Sequence, residues 1–154
     1  MPPIANPVNP RKRYAWTVEF ENLEPVLVQK VKIPTLTVEA AEHGFSNILV
    51  KTGGMVKVGD IELNKLMFQD KNENWAYSWL KQVSDPETGT VGTPSQYKRN
   101  GYIIHYDTDM ESVLEKWQVF GCWPKEIEKD ELDKSSSDNL MEKVILSCDY
   151  VVRS

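Results

Sequence analysis

The sequence contains little cysteine and little histidine, with two residues of each type among 154. Two cysteines cannot supply the disulfide framework of a small secreted domain, and a chain of this length buries about 70% of its unfolded surface without one. We therefore expect Cys122 and Cys148 to be reduced, packed thiols of an intracellular protein. They would still approach each other if the strands that they end were neighbours.

Long apolar runs are missing too. No segment approaches the ~18 apolar residues that a membrane-crossing helix needs. The N-terminus has no apolar core before its basic residues, unlike a secretory signal. We expect no membrane insertion by this chain.

Motifs of catalysis and cofactor binding are also absent. His43 and His105 lie far apart in sequence, and His105 is predicted to be a hydrogen-bonded strand histidine. Neither a lysine nor a helix directly follows Gly53-Gly54, so a turn is favoured over a phosphate loop. Neither GxSxG nor HExxH occurs. The sequence predicts no enzyme, no cofactor, and no catalytic, metal-binding or cofactor-binding residue.

The sequence carries too little positive charge for a protein that binds nucleic acid through its phosphates. The net charge is −5: residues 1–77 carry nine basic and nine acidic side chains, whereas residues 78–154 carry nine basic and fourteen acidic ones. Binding through phosphates requires the opposite sign. The remaining possibility is a protein that tolerates nucleic acid close by without holding it.

What is present begins with a proline-rich arm, residues 1–13, which ends in Arg11-Lys12-Arg13. Proline lacks a backbone donor, so the arm cannot join a helix or a central strand. We expect a flexible, solvated arm, although the basic triplet also fits a nuclear-import or nucleic-acid signal. Residues 14–154 are predicted to form a single domain.

Alternation of apolar and polar residues dominates after the arm and predicts strands. A long arm at residues 46–58 is expected to fold at Gly53-Gly54, a hairpin to turn at residues 107–109, and one last strand to span residues 140–152. The other predicted strands are YAWTVEF, VLVQKVKI, TLTVEAA and DIELNKLMF.

One segment has helical spacing instead. Asn72 can cap a helix whose apolar face carries Trp75 and Trp79, and Asp85-Pro86 would end it. The order of elements predicts a mainly β fold, an antiparallel β-sandwich or barrel with one flanking amphipathic helix. The five tryptophans are expected in the core, although they would also suit a sugar-binding platform.

Several stretches together resemble the tail tube protein family of contractile-tailed bacteriophages. They are VLVQKVKIP, VGDIELNKLMFQDKNENWAYSWLKQV, SQYKRNGYIIHYDTDMESVLEKWQVFGCWPKEI with its Gly-x-Trp-Pro, and the closing LSCDY. The resemblance spans about residues 14–152, and the order and spacing of the motifs carry it. Tailocin and type VI secretion tube proteins are similar in fold.

The resemblance implies a structural virion protein that forms stacked hexameric rings, the hollow tail tube inside a contractile sheath. Its implied partners are other copies of itself, the tail sheath protein, the baseplate or tube initiator and the tail terminator. Double-stranded DNA would pass through the lumen without specific binding during genome ejection, and an acidic inner wall would repel it. The implied location is the virion, assembled in the host bacterial cytoplasm.

Two other functions stay open at this point. One is the inner tube of a headless contractile device, such as a tailocin or a type VI-like system, which would move protein or ions. The other is a tryptophan-rich β-sandwich that binds carbohydrate.

Two surfaces are candidates for contacts in such an assembly. The long arm at residues 42–59 would reach the adjacent ring, or fold on its own subunit as an ordinary hairpin; its apolar candidates for ring stacking are Phe45, Ile48, Leu49, Met55 and Val56. Trp123-Pro124 is expected to end a strand. The acidic stretch that follows suits a solvated surface loop or the outer face that meets the sheath, and an outer or ring-edge location is favoured over the lumen. Its candidate residues are Glu126, Glu128, Asp130, Glu131 and Asp133.

Overall fold

The computed structural model describes residues 10–20, 28–67 and 75–154. The described residues form the strands β1 (Trp16–Phe20), β2 (Val28–Lys32), β3 (Leu36–Phe45), β4 (Ile48–Val58), β5 (Ile61–Leu66), β6 (Arg99–Tyr106), β7 (Val113–Lys129), β8 (Met141–Ser147) and β9 (Tyr150–Arg153). They also form the helices α1 (Trp75–Val83) and α2 (Pro94–Tyr97).

Seven of these strands build one antiparallel sheet that folds into two layers. Its order is β1-β6-β7-β8-β5-β2, and β9 also pairs with β7. The first layer contains β1, β6, β9 and the first half of β7, and the second contains the rest of β7 with β8, β5 and β2. The predicted mainly β sandwich is confirmed. The barrel alternative is wrong, because in the part of the chain described the end strands β1 and β2 are not paired with each other.

The core lies between the two layers and is built by alternation. The central strands of the two layers send alternate side chains inward, as the period of two dictates. On β1 the side chains of Trp16, Val18 and Phe20 face the core, whereas Tyr14 is exposed and Ala15 is buried. The other central side chains are Ile61, Leu63, Ile103, Val119, Val144 and Leu146.

Helix α1 packs on the core through the predicted apolar face. Ala76 and Trp79 are buried, and Trp75 lies against them with its ring centroid 5.2 Å from that of Trp79. The indole nitrogen of Trp79 donates to the Tyr97 carbonyl oxygen at 2.6 Å, which joins α1 to α2. The helix ends before Asp85, as predicted; the predicted cap at Asn72 lies outside the described residues.

Strand β7 passes from one layer to the other near Gly121. Gly121 has a φ of 65°, in the left-handed region, and a Cβ there would lie 2.1 Å from an Asp149 carboxylate oxygen. Only glycine fits both conditions. The corner between the layers therefore depends on this residue.

The Trp-Pro pair does not end a strand, contrary to the prediction. β7 continues through Pro124 to Lys129. β6 pairs with β7 only as far as Cys122, so beyond that residue β7 forms the edge of the second layer. A register shift between Pro124 and Glu126 follows at once. Proline is tolerated at edges and bulges because no ladder hydrogen bond needs its missing donor.

The predicted last strand is interrupted. β8 and β9 both pair with β7 in one register, from Pro124↔Leu146 and Trp123↔Ser147 to Phe120↔Tyr150. The pairing breaks at Cys148 and Asp149, opposite the corner at Gly121. One segment of chain therefore lines β7 in both layers.

Candidate assembly surfaces

The hairpin of β3 and β4 stands apart from the two-layer domain as its own two-stranded sheet. Almost all of its residues are exposed, and only Ala41 and Val58 are partly covered. The five predicted stacking residues, Phe45, Ile48, Leu49, Met55 and Val56, all lie on it and are all exposed. The hairpin therefore does not fold back on its own subunit, which was the alternative interpretation.

Gly53-Gly54 is not the turn of this hairpin, as the sequence had suggested. The turn is Ser46-Asn47, flanked by the pair Phe45↔Ile48, and Ser46 has a φ of 58°. The two glycines instead lie at a bulge, where Glu39 of β3 faces two residues of β4. A Cβ on Gly54 would lie 2.9 Å from the Glu39 carbonyl oxygen, so the bulge requires glycine there.

The register divides the apolar side chains between two faces of the hairpin. Directly opposite residues of an antiparallel pair share a face, and neighbours along a strand point to opposite faces. Phe45 and Ile48 share one face at the tip, together with Val50 opposite His43. We call this face the tip patch.

The opposite face is apolar at the other end of the hairpin. There Leu36 lies opposite Val58 and Val38 opposite Val56, forming what we call the base patch. Leu49 lies on the base-patch side near the tip, and Met55 lies in the bulge. The five predicted residues therefore belong to one hairpin but to different faces.

An isolated two-stranded hairpin with exposed apolar faces is marginally stable in water. The ion pairs of Lys51 with Glu42 and of Lys57 with Glu39 on this hairpin are solvent-exposed and contribute little. Exposed patches of this kind mark surfaces that another molecule covers. Sequence reasoning missed the base patch because the alternation of Leu36 and Val38 is the ordinary signal of a core strand.

The predicted acidic surface lies at the far end of β7 and in the loop after it. Glu126 and Glu128 project from the outer side of the second layer, opposite Ile145 and Lys143 of β8. The other three carboxylates lie in the loop at residues 130–140. The structure places all five side chains in exposed positions: Glu126, Glu128, Asp130, Glu131 and Asp133.

Two of these carboxylates hold the loop itself. Asp130 accepts a hydrogen bond from the Met141 backbone nitrogen at 2.9 Å. Asp133 accepts from the Ser135 hydroxyl at 2.7 Å and from its backbone nitrogen at 3.0 Å, and these bonds lower the pKa of Asp133. The three glutamates make no hydrogen bond or ion pair with another described residue, so they are the members available to a partner.

Glu115 of β7 joins both ends of the described chain. It accepts a hydrogen bond from Arg11 and one from Trp117, and Arg153 lies 3.2 Å away. Burial raises the pKa of Glu115, but these hydrogen bonds and the two positive charges outweigh it and lower the pKa overall. Arg11 had been assigned to the flexible arm; residues 1–9 of that arm lie outside the described residues.

The histidine prediction is confirmed, and the prediction of core tryptophans is confirmed for four of the five. His105 donates a hydrogen bond through Nε2 to the Lys12 carbonyl oxygen at 2.7 Å. All five tryptophans are described and none is exposed: Trp79 is buried, and Trp16, Trp75 and Trp117 pack against the core. Trp123 contacts the edge of Tyr97 at 6.1 Å between ring centroids. No exposed tryptophan is left for a sugar-binding platform.

A cleft of about 1030 Å³ separates the two unpaired ends of the sheet. It lies between β1 with β6 on one side and β2 with β5 on the other, and its walls include Trp16, Val31 and Ile103. Within residues 10–20, 28–67 and 75–154, no cluster of His, Cys, Asp and Glu is arranged to hold a metal ion. In the same residues no helix is long and apolar enough to cross a bilayer.

Comparison with known proteins gives a family match over nearly the whole chain. The family described as T4-like virus tail tube protein gp19 matches residues 12–152. No curated protein sequence matches the chain.

Solved structures of other proteins share the fold. A chain of the anti-feeding prophage cap, described as the AFP tube terminating cap, aligns with a TM-score of 0.80 at 19% identity, covering 99% of this chain and 95% of that one. A chain of the PVC sheath-tube complex of an extracellular contractile injection system gives 0.75 at 19% identity, covering 94% and 91%. Hcp1 from Flavobacterium johnsoniae gives 0.50 at 9% identity, covering 90% and 94%.

Proposed function

This chain belongs to the T4-like virus tail tube protein gp19 family, and from that premise we propose that it is the repeating subunit of a hollow tail tube, built from stacked hexameric rings inside a contractile sheath. Members of this family are structural proteins, which confirms the prediction that the chain is not an enzyme.

The observation that carries this proposal is the uncovered hairpin of β3 and β4. Burying a Phe, Ile, Leu, Met or Val side chain is worth about 1.5–3 kcal/mol. The hairpin gains almost none of this energy in the single subunit, since both its apolar patches face solvent. In the proposed tube the tip patch, with Phe45 and Ile48, contacts the adjacent ring, and Leu49, Met55 and Val56 contact a second neighbour from the other side.

The unclosed sheet supports a ring. Unpaired edge strands such as β1 and β2 invite association with other chains. In a cyclic assembly each subunit presents one surface to the next and a different surface to the previous one, and closure leaves no subunit with an uncovered edge. In the proposed hexamer these two edges, which flank one cleft, are among the surfaces that neighbouring subunits cover.

The outer surface of the tube is proposed to meet the sheath through the acidic surface at residues 126–133. Because Asp130 and Asp133 hold their own loop, the informative variant replaces only Glu126, Glu128 and Glu131 with glutamine. We expect tubes of normal length that assemble less sheath, since three uncompensated charges are removed. Asp133→Asn is the matched control for loop structure. Fully sheathed particles from the triple variant would contradict this assignment.

The proposed cargo is double-stranded DNA, which passes without specific binding. The net charge of −5 suits a conduit that must not hold phosphates. The further partners are the baseplate or tube initiator and the tail terminator, and the proposed location is the virion, after assembly in the host bacterial cytoplasm.

A headless contractile device is the second candidate. It is favoured by the likeness of the fold to tube components of the anti-feeding prophage and of the PVC injection system. Capsid and terminase genes beside the gene of this chain would support the phage tail, and their absence would support the injection device.

Negative-stain electron microscopy of the purified full chain, with mass photometry of the same sample, tests the proposal. Six-fold rings or hollow tubes are expected, alone or with the tail initiator complex. A chain that stays monomeric at high concentration with the initiator present would overturn the tube assignment.

A further inference from the structure

We propose that Cys122 and Cys148 form a dithiol modification site that hydrogen peroxide converts to an intramolecular disulfide, which ties β7 to the junction of β8 and β9. This inference rests on residues of a single subunit and does not depend on tube formation.

The strand register places the two cysteines opposite each other. Trp123 pairs with Ser147 on one side of them and Phe120 with Tyr150 on the other, in the same register, so Cys122 faces Cys148. Directly opposite residues of antiparallel strands have Cα atoms about 4.5–5.5 Å apart. This separation lies within the 4.4–6.8 Å that disulfides usually span.

Both cysteines border the buried core. Cys122 belongs to it and Cys148 packs against it, and both are free thiols. The Cys148 thiol also lies 3.7 Å from the Gly59 carbonyl oxygen. Little backbone movement is therefore needed to bring the sulfur atoms within bonding distance.

The environments of the two sulfur atoms assign them different parts in the reaction. Cys122 is fully buried, and the neighbouring Cys148 thiol, together with burial, raises the pKa of the Cys122 thiol. The neighbouring Cys122 thiol lowers the pKa of the half-buried Cys148, against the opposing effects of burial and of the charges on Asp60 and Asp149. Reactivity follows the thiolate and its access to solvent, so Cys148 reacts first and Cys122 resolves.

The reaction balances with one peroxide molecule. The Cys148 thiolate attacks one peroxide oxygen, the O–O bond breaks, and the departing hydroxide takes a proton to become water, which leaves Cys148 as a sulfenic acid. The Cys122 sulfur then attacks the Cys148 sulfur, the S–S bond forms, and the S–O bond breaks. Water leaves with the proton of Cys122. Two thiols are oxidised by two electrons and one peroxide is reduced to two waters.

The product closes a covalent loop over residues 122–148. This loop contains the second half of β7, the acidic loop at residues 130–140 and all of β8. Closing such a loop restricts the unfolded chain and stabilises the folded one. Oxidation is thus expected to lock the end of the second layer to the corner at Gly121.

Peroxide treatment of the reduced, full-length chain tests the inference. Intact mass should fall by about 2 Da, peptide mapping should join Cys122 to Cys148, and N-ethylmaleimide labelling should disappear. The unfolding temperature should rise by several degrees and return on addition of dithiothreitol. In Cys148→Ser, Cys122 should keep its thiol under the same treatment.

A second variant identifies the order of the steps. Cys122→Ser should leave Cys148 as a sulfenic acid that dimedone traps. Should Cys122→Ser not fold, the parent chain and Cys148→Ser still decide the matter. A disulfide between two chains, or conversion of Cys148 to sulfonic acid without loss of Cys122 labelling, would overturn the proposal.

Discussion

Truncating the tip patch, with Phe45→Ala and Ile48→Ala together, should prevent assembly at the concentration at which the parent chain forms tubes, while leaving the fold unchanged. The two side chains are 75% and 67% exposed in the subunit, so their removal takes almost nothing from the core. In the proposed tube both become buried against a neighbouring ring. The variant therefore separates what stabilises the subunit from what stabilises the assembly.

The structure sets the expected magnitude. Burying the exposed parts of both side chains is worth about 2–4 kcal/mol in total. Its loss should raise the concentration at which tubes form by about 30- to 1000-fold, since each 1.4 kcal/mol corresponds to about a factor of ten. The unfolding free energy of the unassembled subunit should change by less than about 0.5 kcal/mol, as for other exposed positions.

The assay measures tubes in the pellet after ultracentrifugation across a concentration series, with circular dichroism melting of the unassembled chain beside it. Val91→Ala with Leu132→Ala is the matched control, because these side chains are 74% and 85% exposed and lie away from the hairpin. Tubes formed by the tip variant at the parent concentration would refute the stacking argument. A large drop in its melting temperature would refute the claim that the tip is independent of the core.

Two further predictions concern the domain itself. Gly121→Ala should cost about 1–3 kcal/mol in urea unfolding, because alanine adopts a positive φ poorly and its Cβ would collide with Asp149. Glu115 has a lowered pKa, so the stability that its contacts with Arg11 and Arg153 contribute is complete above its ordinary pKa of 4.5 and is lost as the pH falls through the pKa of the folded state. Melting temperatures measured between pH 6 and 3 should show this loss, and Glu115→Gln should remove the share of the pH dependence that Glu115 causes. A pH profile that is unchanged in Glu115→Gln would contradict the reasoning.

The sequence was sufficient to predict elements whose pattern is local. The alternation of Val18 and Phe20 and the helical spacing of Trp75 and Trp79 report the burial that the structure shows. The hairpin between β6 and β7 turns at residues 107–112, where Asp107 and its neighbours favour a turn.

What could not be predicted depends on partners distant in sequence. Pro124 continues a strand because β6 no longer pairs with β7 at that point, and nothing in the local sequence shows where this pairing ends. Lys65 is buried directly opposite Glu142 of β8, a cross-strand placement that alternation within β5 alone does not reveal. From sequence alone Gly53-Gly54 suggests a turn, and only its pairing with β3 shows that it forms a bulge.

Strand β7 belongs to both layers, and this determines how a subunit responds to mechanical load. Its first half is hydrogen-bonded within one layer and its second half within the other, and β8 and β9 accompany it across the corner in one register. Sliding one layer along the other would stretch this covalent strand and shear its ladder at many hydrogen bonds together. In the proposed tube the two layers of a subunit are therefore expected to move together under load, and changes in length or twist of the tube are expected to arise between subunits.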